Sequence, residues 1–122
     1  MIGYVTLGTN DIARAARFYD ELLALLGAKR AMETEKFIAW SNGQGPMLAV
    51  IKPHDGKPAT VGNGVMVSLA AGSTAGVDRI YARAIELGAR DEGPAGPRGE
   101  GFYGGYFRDM DGNKLCAFHM GA

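Results

Sequence analysis

Leu26-Gly27-Ala28-Lys29 returns as Leu87-Gly88-Ala89-Arg90, 61 residues further along the chain. A leucine followed by a glycine free to take the left-handed backbone is a common way for a helix to end. Ahead of the first copy, Ile12, Ala15, Ala16, Tyr19, Leu22, Leu23 and Leu26 recur at the spacing of one helix face, behind an Asn10-Asp11 cap. Ahead of the second, Val77, Ile80, Tyr81, Ala84 and Leu87 follow a Ser73 cap, which lies 62 residues after Asp11. Working outward from each helix, Ile2–Leu7 predicts a strand before the first, and Ala28–Glu33, Phe37–Ser41 and Met47–Lys52 predict three after it. The second half repeats the order with a strand at Val65–Ala70 and others around Tyr103–Arg108 and Lys114–His119, after a Gly/Pro-rich stretch at Gly93–Pro97 and an Asp91-Glu92 pair placed as a solvated strand start. The expected fold is therefore α+β: two tandem βαβββ modules whose curved mixed sheets are each backed by one helix and leave a cavity on their opposite faces. One domain is expected over 1–122, with module one at 1–56, a polar linker at 53–63 and module two at 63–122.

Composition narrows the function classes. The 122 residues are 47% hydrophobic, enough for a core without disulfides, and the single cysteine excludes a disulfide scaffold or a multi-thiolate zinc finger. Thirteen Lys and Arg balance thirteen Asp and Glu, so no field draws the chain to nucleic acid or an anionic membrane. No apolar run of spanning length occurs and no signal pattern opens the chain. A cytoplasmic protein without nucleic-acid or membrane partners is expected.

Two further segments carry a family resemblance over the whole chain. Thr9-Asn10-Asp11 followed by Phe18-Tyr19, and Tyr106-Phe107-Arg108-Asp109-Met110-Asp111-Gly112-Asn113, together with the duplicated plan, resemble the vicinal oxygen chelate superfamily of glyoxalase I, bleomycin-resistance proteins, fosfomycin-resistance proteins and extradiol dioxygenases. The second segment is similar to the family's Phe-x-Asp-Pro-Asp-Gly turn, with Met110 in place of proline. Metal-using members carry a ligand histidine on the first strand of each half and a carboxylate on the last. The resemblance places those positions at Tyr4, within Met47-Leu48-Ala49-Val50-Ile51, at Met66 and at Cys116. Phenol, thioether, thiol and aliphatic groups make a poor site for a hard divalent cation. Neither a metal nor another cofactor is expected.

The fold hosts unrelated reactions, so function has to come from the site. Period-2 alternation turns Tyr4 and Met66 towards the cavity. Trp40, Tyr103 and Tyr106 are candidate ring faces for a planar ligand, although aromatic residues also serve as ordinary core, and Phe102 clusters with the two tyrosines. Cys116 and Phe118 share one strand face; with no basic neighbour in sequence, the thiol reads as a small hydrophobe. Lys52 and Arg98 are the cations beside cavity loops, and Arg98 in Gly96-Pro97-Arg98-Gly99 can fork onto a carboxylate or phosphate. Lys36, Lys57, Asp20 and Glu21 read as solvated charges, and His54 and His119 as surface imidazoles. Gly93-Pro94-Ala95-Gly96 is no phosphate loop, because no Gly-Lys-Ser/Thr ending follows.

The expected function is metal-independent binding of a small, partly planar, anionic molecule, with Tyr4, Trp40, Lys52, Met66, Arg98, Tyr103, Tyr106, Cys116 and Phe118 as ligand contacts. One alternative is a glyoxalase-like lyase or isomerase with Tyr4 as general acid and base and Arg98 stabilising an oxyanion. The other is a non-catalytic dimeric subunit. A homodimer is expected as the assembly.

Overall fold

The computed structural model describes residues 1–121. Its chain divides into two compact units, Met1–Val61 and Gly62–Ala122. In the first, β1 (Tyr4–Gly8), α1 (Ile12–Ala24), β2 (Lys29–Glu33), β3 (Phe37–Ser41) and β4 (Met47–Ile51) follow in order; in the second, β5 (Val67–Ala70), α2 (Thr74–Glu86), β6 (Arg90–Pro97), β7 (Phe102–Arg108) and β8 (Lys114–Met120). Each unit is a four-stranded mixed sheet, ordered β1-β4-β3-β2 and β5-β8-β7-β6. The helix carries the chain back so that the first strand pairs in parallel with the last, Tyr4 opposite Met47 and Val67 opposite Leu115.

The repeated Leu-Gly-Ala does the same work twice. Gly27 and Gly88 adopt φ of 74° and 108°. The Ala28 amide then donates to Leu23 O and the Gly27 amide to Ala24 O at 3.0 Å each; Ala89 reaches Ala84 O at 2.9 Å and Gly88 reaches Ile85 O at 3.0 Å. These paired bonds close carbonyls that a helix end leaves open and turn the chain into the next strand. At the other ends, Asp11 and Ser73 accept from the amides of Arg14 and Gly76 at 3.0 Å each.

Alternation decides what each sheet buries. In the first unit Leu7, Ile38, Trp40, Leu48 and Val50 pack against Ala15, Phe18, Tyr19, Leu22 and Leu23 of α1. In the second, Phe107, Leu115 and Ala117 pack with Val77, Ile80 and Ala84 of α2. A leucine or isoleucine taken fully out of water, as Leu22 and Ile80 are, stabilises by roughly 1.5–3 kcal/mol. The opposite face of each sheet stays open. There Tyr4 and Phe37 meet edge to face, with ring centroids 6.3 Å apart.

Three local expectations change. The Gly/Pro-rich stretch is the edge strand β6, paired with β7 from Arg90–Arg108 to Pro97–Tyr103, with register shifts between Asp91 and Gly93 and between Gly93 and Gly96. An edge tolerates prolines that cannot donate, and the shifts are bulges that glycine permits. The loop expected as a linker is partly fastened to its own unit: Asn10 Oδ1 accepts from the Ala59 amide at 2.7 Å, and Lys57 N donates to Asp55 Oδ1 at 2.9 Å. Asp20 is no idle surface charge. It accepts from the indole of Trp40 at 2.8 Å and from Arg30 at 2.9 and 2.7 Å.

The Asp109–Asn113 turn between β7 and β8 is built as its sequence implies. Asp109 Oδ1 accepts from the amides of Asp111 and Asn113 at 2.9 Å each, and Asn113 Nδ2 donates to Asp109 Oδ2 at 3.0 Å. Gly112 takes φ 90°. Met110 replaces the family's proline without disturbing these bonds, because none of them needs the side chain at that position.

Candidate functional site

The open face of the second unit gathers most of the chemistry. Across one row of the sheet, Ser68 pairs with Cys116, Cys116 with Tyr106 and Tyr106 with Gly93. Two residues along, Phe118 stacks on Phe102 with ring centroids 5.7 Å apart and planes 4° from parallel. Gly104 lies among them as the floor: a side-chain carbon there would come within 2.8 Å of the Phe102 ring and 3.5 Å of both Cys116 Sγ and Tyr106 Oη.

Two cations cover this floor. The Arg98 guanidinium lies 5.4 Å from the Tyr106 ring centroid, and the Lys114 ammonium 5.6 Å from it. Such placements over an aromatic face are attractive, about 0.5–1 kcal/mol where exposed. Arg98 is steadied by donating from Nη2 to Pro94 O at 2.5 Å. It crosses β6 over Gly93 and Gly96, where added carbons would sit 3.4 and 3.3 Å from its Nη2 and Nη1. Arg108, by contrast, is paired with Glu92 at 3.0 Å.

Titration follows from these surroundings. Burial raises the Cys116 thiol above its ordinary value, against the hydrogen bonds of Tyr106 and Ser68 and the charge of Arg98. Tyr106 is raised first by burial and then by Cys116, with Arg98 opposing. Both groups therefore rest neutral at pH 7. The thiol is fully buried, which suits packing and not nucleophilic attack.

Of the sequence-derived contacts, Arg98, Tyr106, Cys116 and Phe118 come together here. Phe102, which clusters with the tyrosines in sequence, joins them; Ser68 and Lys114 do too and went unnamed, although pairing with Cys116 and alternation along β8 put them on this face. Met66 immediately precedes β5 and is 40% exposed. Tyr103 points the other way: its hydroxyl donates to Asp78 Oδ1 on α2 at 2.6 Å, a bond that raises the phenol pKa. Its partner across the strands, His119, shares that face. Trp40 is likewise on the helix side, buried against Tyr19 at 5.7 Å between ring centroids. One residue of offset along a strand reverses the face, and that offset removes both rings from the open surface.

In the first unit Tyr4 is 57% exposed on the open face, while Lys52 lies elsewhere. It lines a cleft of about 290 Å³ with Thr9, Asn10, Lys36, His54 and Lys57.

The family's metal positions can be judged on their chemistry. Cys116 is a buried, protonated thiol hydrogen-bonded within the sheet. The β4 residues facing the open side are Met47, Ala49 and Ile51, which offer no oxygen or nitrogen ligand. Among the described residues no three His, Cys, Asp or Glu side chains are grouped to hold an ion. This donor set does not fit a divalent cation.

The chain belongs to the glyoxalase/bleomycin resistance protein/dioxygenase superfamily, whose family model matches residues 1–117. A glyoxalase/bleomycin resistance protein from Albidiferax ferrireducens T118 is 34% identical and superposes with a TM-score of 0.92, covering 99% of each chain. Lactoylglutathione lyase from Agrobacterium tumefaciens shares the fold at 22% identity and a TM-score of 0.73, over 97% of this chain and 92% of its own. A family enzyme from Burkholderia phytofirmans PsJN does so at 15% identity and 0.77, over 97% of each chain. No curated protein matches the chain significantly. No helix among the described residues is long and apolar enough to cross a membrane.

Proposed function

We propose that this protein binds a small, partly planar anion on the open face of β5-β8-β7-β6, without a metal ion, and that binding is its function. The observation that carries the reading is the pair of cations, Arg98 and Lys114, set over the Tyr106 ring at 5.4 and 5.6 Å beside the stacked Phe102 and Phe118. Ring faces take up a conjugated ligand, and the guanidinium can fork onto its carboxylate. The neutral thiol and phenol beneath add polar contacts without placing a negative charge against that anion.

A thermal-shift screen tests this. Aromatic carboxylates such as benzoate and salicylate are expected to raise the melting temperature, with benzamide and benzylamine doing less in that order. Best stabilisation by the amine would overturn the polarity of the site.

The assembly proposed is a cytoplasmic homodimer. Ile2, Tyr4, Val65 and Met66 leave apolar side chains exposed at 55%, 57%, 60% and 40%, and a second copy would cover such groups. Light scattering at micromolar concentration is expected to give twice the 12.9 kDa chain mass; the mass of one chain would reject the dimer.

A further inference from the structure

The cleft of the first unit is built for a different ligand from the open face of the second. Its volume is about 290 Å³, and its wall combines Lys36, Lys52 and Lys57 with His54, Thr9 and Asn10. No carboxylate lines it. Of the acids nearest in sequence, Asp11, Glu35 and Asp55, two are turned to backbone amides, Asp11 to Arg14 N at 3.0 Å and Asp55 to Lys57 N at 2.9 Å, and Glu35 is not among the lining residues. Three like charges around one small space repel one another, in a chain whose formal net charge is zero.

The cleft is also held open. Lys52 N donates to Lys36 O at 2.9 Å, which fixes two of the lysines side by side on neighbouring chain segments. The 53–63 loop that carries Lys57 is pinned through the Ala59 amide to Asn10 Oδ1 at 2.7 Å. A loop tied down in this way presents its charge without ordering it anew on each encounter.

We propose that this cleft binds a compact, multiply charged oxyanion of the phosphate class. Neither an aromatic ring other than an imidazole nor a guanidinium lines it, so it lacks what selects a planar carboxylate. Lysine ammonium groups act as point charges from several directions, as in other lysine-built phosphate sites, and set no planar geometry on the anion. The space falls at the small end of ligand sites, enough for a phosphate or diphosphate and little more.

Amide NMR on the full chain tests this at constant ionic strength, with inorganic pyrophosphate, inorganic phosphate and acetate as probes. Pyrophosphate is expected to shift the amides of Thr9, Asn10, Lys36, Lys52, Gly56 and Lys57 with saturation, phosphate more weakly and acetate least. Combined K52Q and K57Q is expected to weaken pyrophosphate roughly 10-fold or more, and K29Q, on exposed β2, to leave it unchanged. These lysines are exposed, so an unchanged melting temperature without ligand will show that the variant is folded. Acetate equalling pyrophosphate, shifts spread over lysines everywhere, or full binding by the double variant would overturn the proposal. Because the readout lies in residues 9–57, its failure is distinct from failure of carboxylate binding at residues 68–118.

Discussion

Trp40→Ala is expected to cost about 3–5 kcal/mol of stability, the range for emptying a large aromatic site. Trp40 is 1% exposed, packs against Tyr19, and donates its indole hydrogen to Asp20 at 2.8 Å. Alanine removes the packing and one of the donors that hold that carboxylate. Against a typical total of about 5–15 kcal/mol, this brings the protein near its unfolding threshold. Trp40→Phe keeps most of the ring volume and is expected to lose less. The Arg30 hydrogen bonds, followed by that of Trp40, hold the Asp20 carboxyl below its usual 3.8. A lowered folded pKa contributes stability that is full above the unfolded value and fades as pH falls through the folded one. Below about pH 4 the wild type should therefore lose stability more steeply than Asp20→Asn, which lacks that contribution at every pH. Urea unfolding at pH 7 and pH 3 measures both effects. A loss under about 1 kcal/mol for Trp40→Ala would contradict its place in the core.

The same residue shows where sequence reading stops. The helix exits at Gly27 and Gly88 are legible because left-handed backbone after a leucine stripe has few other uses, and the repeat doubles the signal. Strand alternation correctly separates Leu7 from Tyr4 and Leu115 from Cys116. It does not say which alternate set on Phe37–Ser41 or Phe102–Arg108 faces the helix when both contain aromatic residues. Trp40 and Tyr103 fall on the helix side, where each meets a carboxylate, Asp20 on α1 and Asp78 on α2. Those partners lie 20 and 25 residues away, and no local pattern joins them. Lys36, Lys52 and Lys57 are single charges in sequence and become a cluster only when β3, β4 and the following loop converge. Glycine in β6 misleads in the opposite sense. It breaks the strand pattern locally, yet β6 pairs with β7 and Arg98 crosses over its glycines onto Tyr106.

That placement of Arg98 gives a large functional effect at a single residue. Arg98→Ala should weaken binding of an aromatic carboxylate about 10-fold, the low end for a hydrogen bond to a charged group, because Arg98 is exposed and its field is screened. Arg98→Lys keeps the charge but gives up the fork and the broad contact over Tyr106, so it should recover only part of the loss. Lys114→Gln leaves the guanidinium in place and should weaken binding less than Arg98→Ala. If Arg98 acts only as general positive charge, the lysine variant will bind like the wild type. Gly93→Ala offers an independent check that leaves both cations in the sequence. Its new carbon would meet the Tyr106 ring at 3.2 Å, at a backbone φ of 148° that strains an alanine, and so would shift the ring on which Arg98 rests. Calorimetric titration should then show weakened carboxylate binding in Gly93→Ala too. Full affinity in both Gly93→Ala and Arg98→Ala would mean that the anion, if bound, does not meet Arg98, and the face over Tyr106 would no longer be its site.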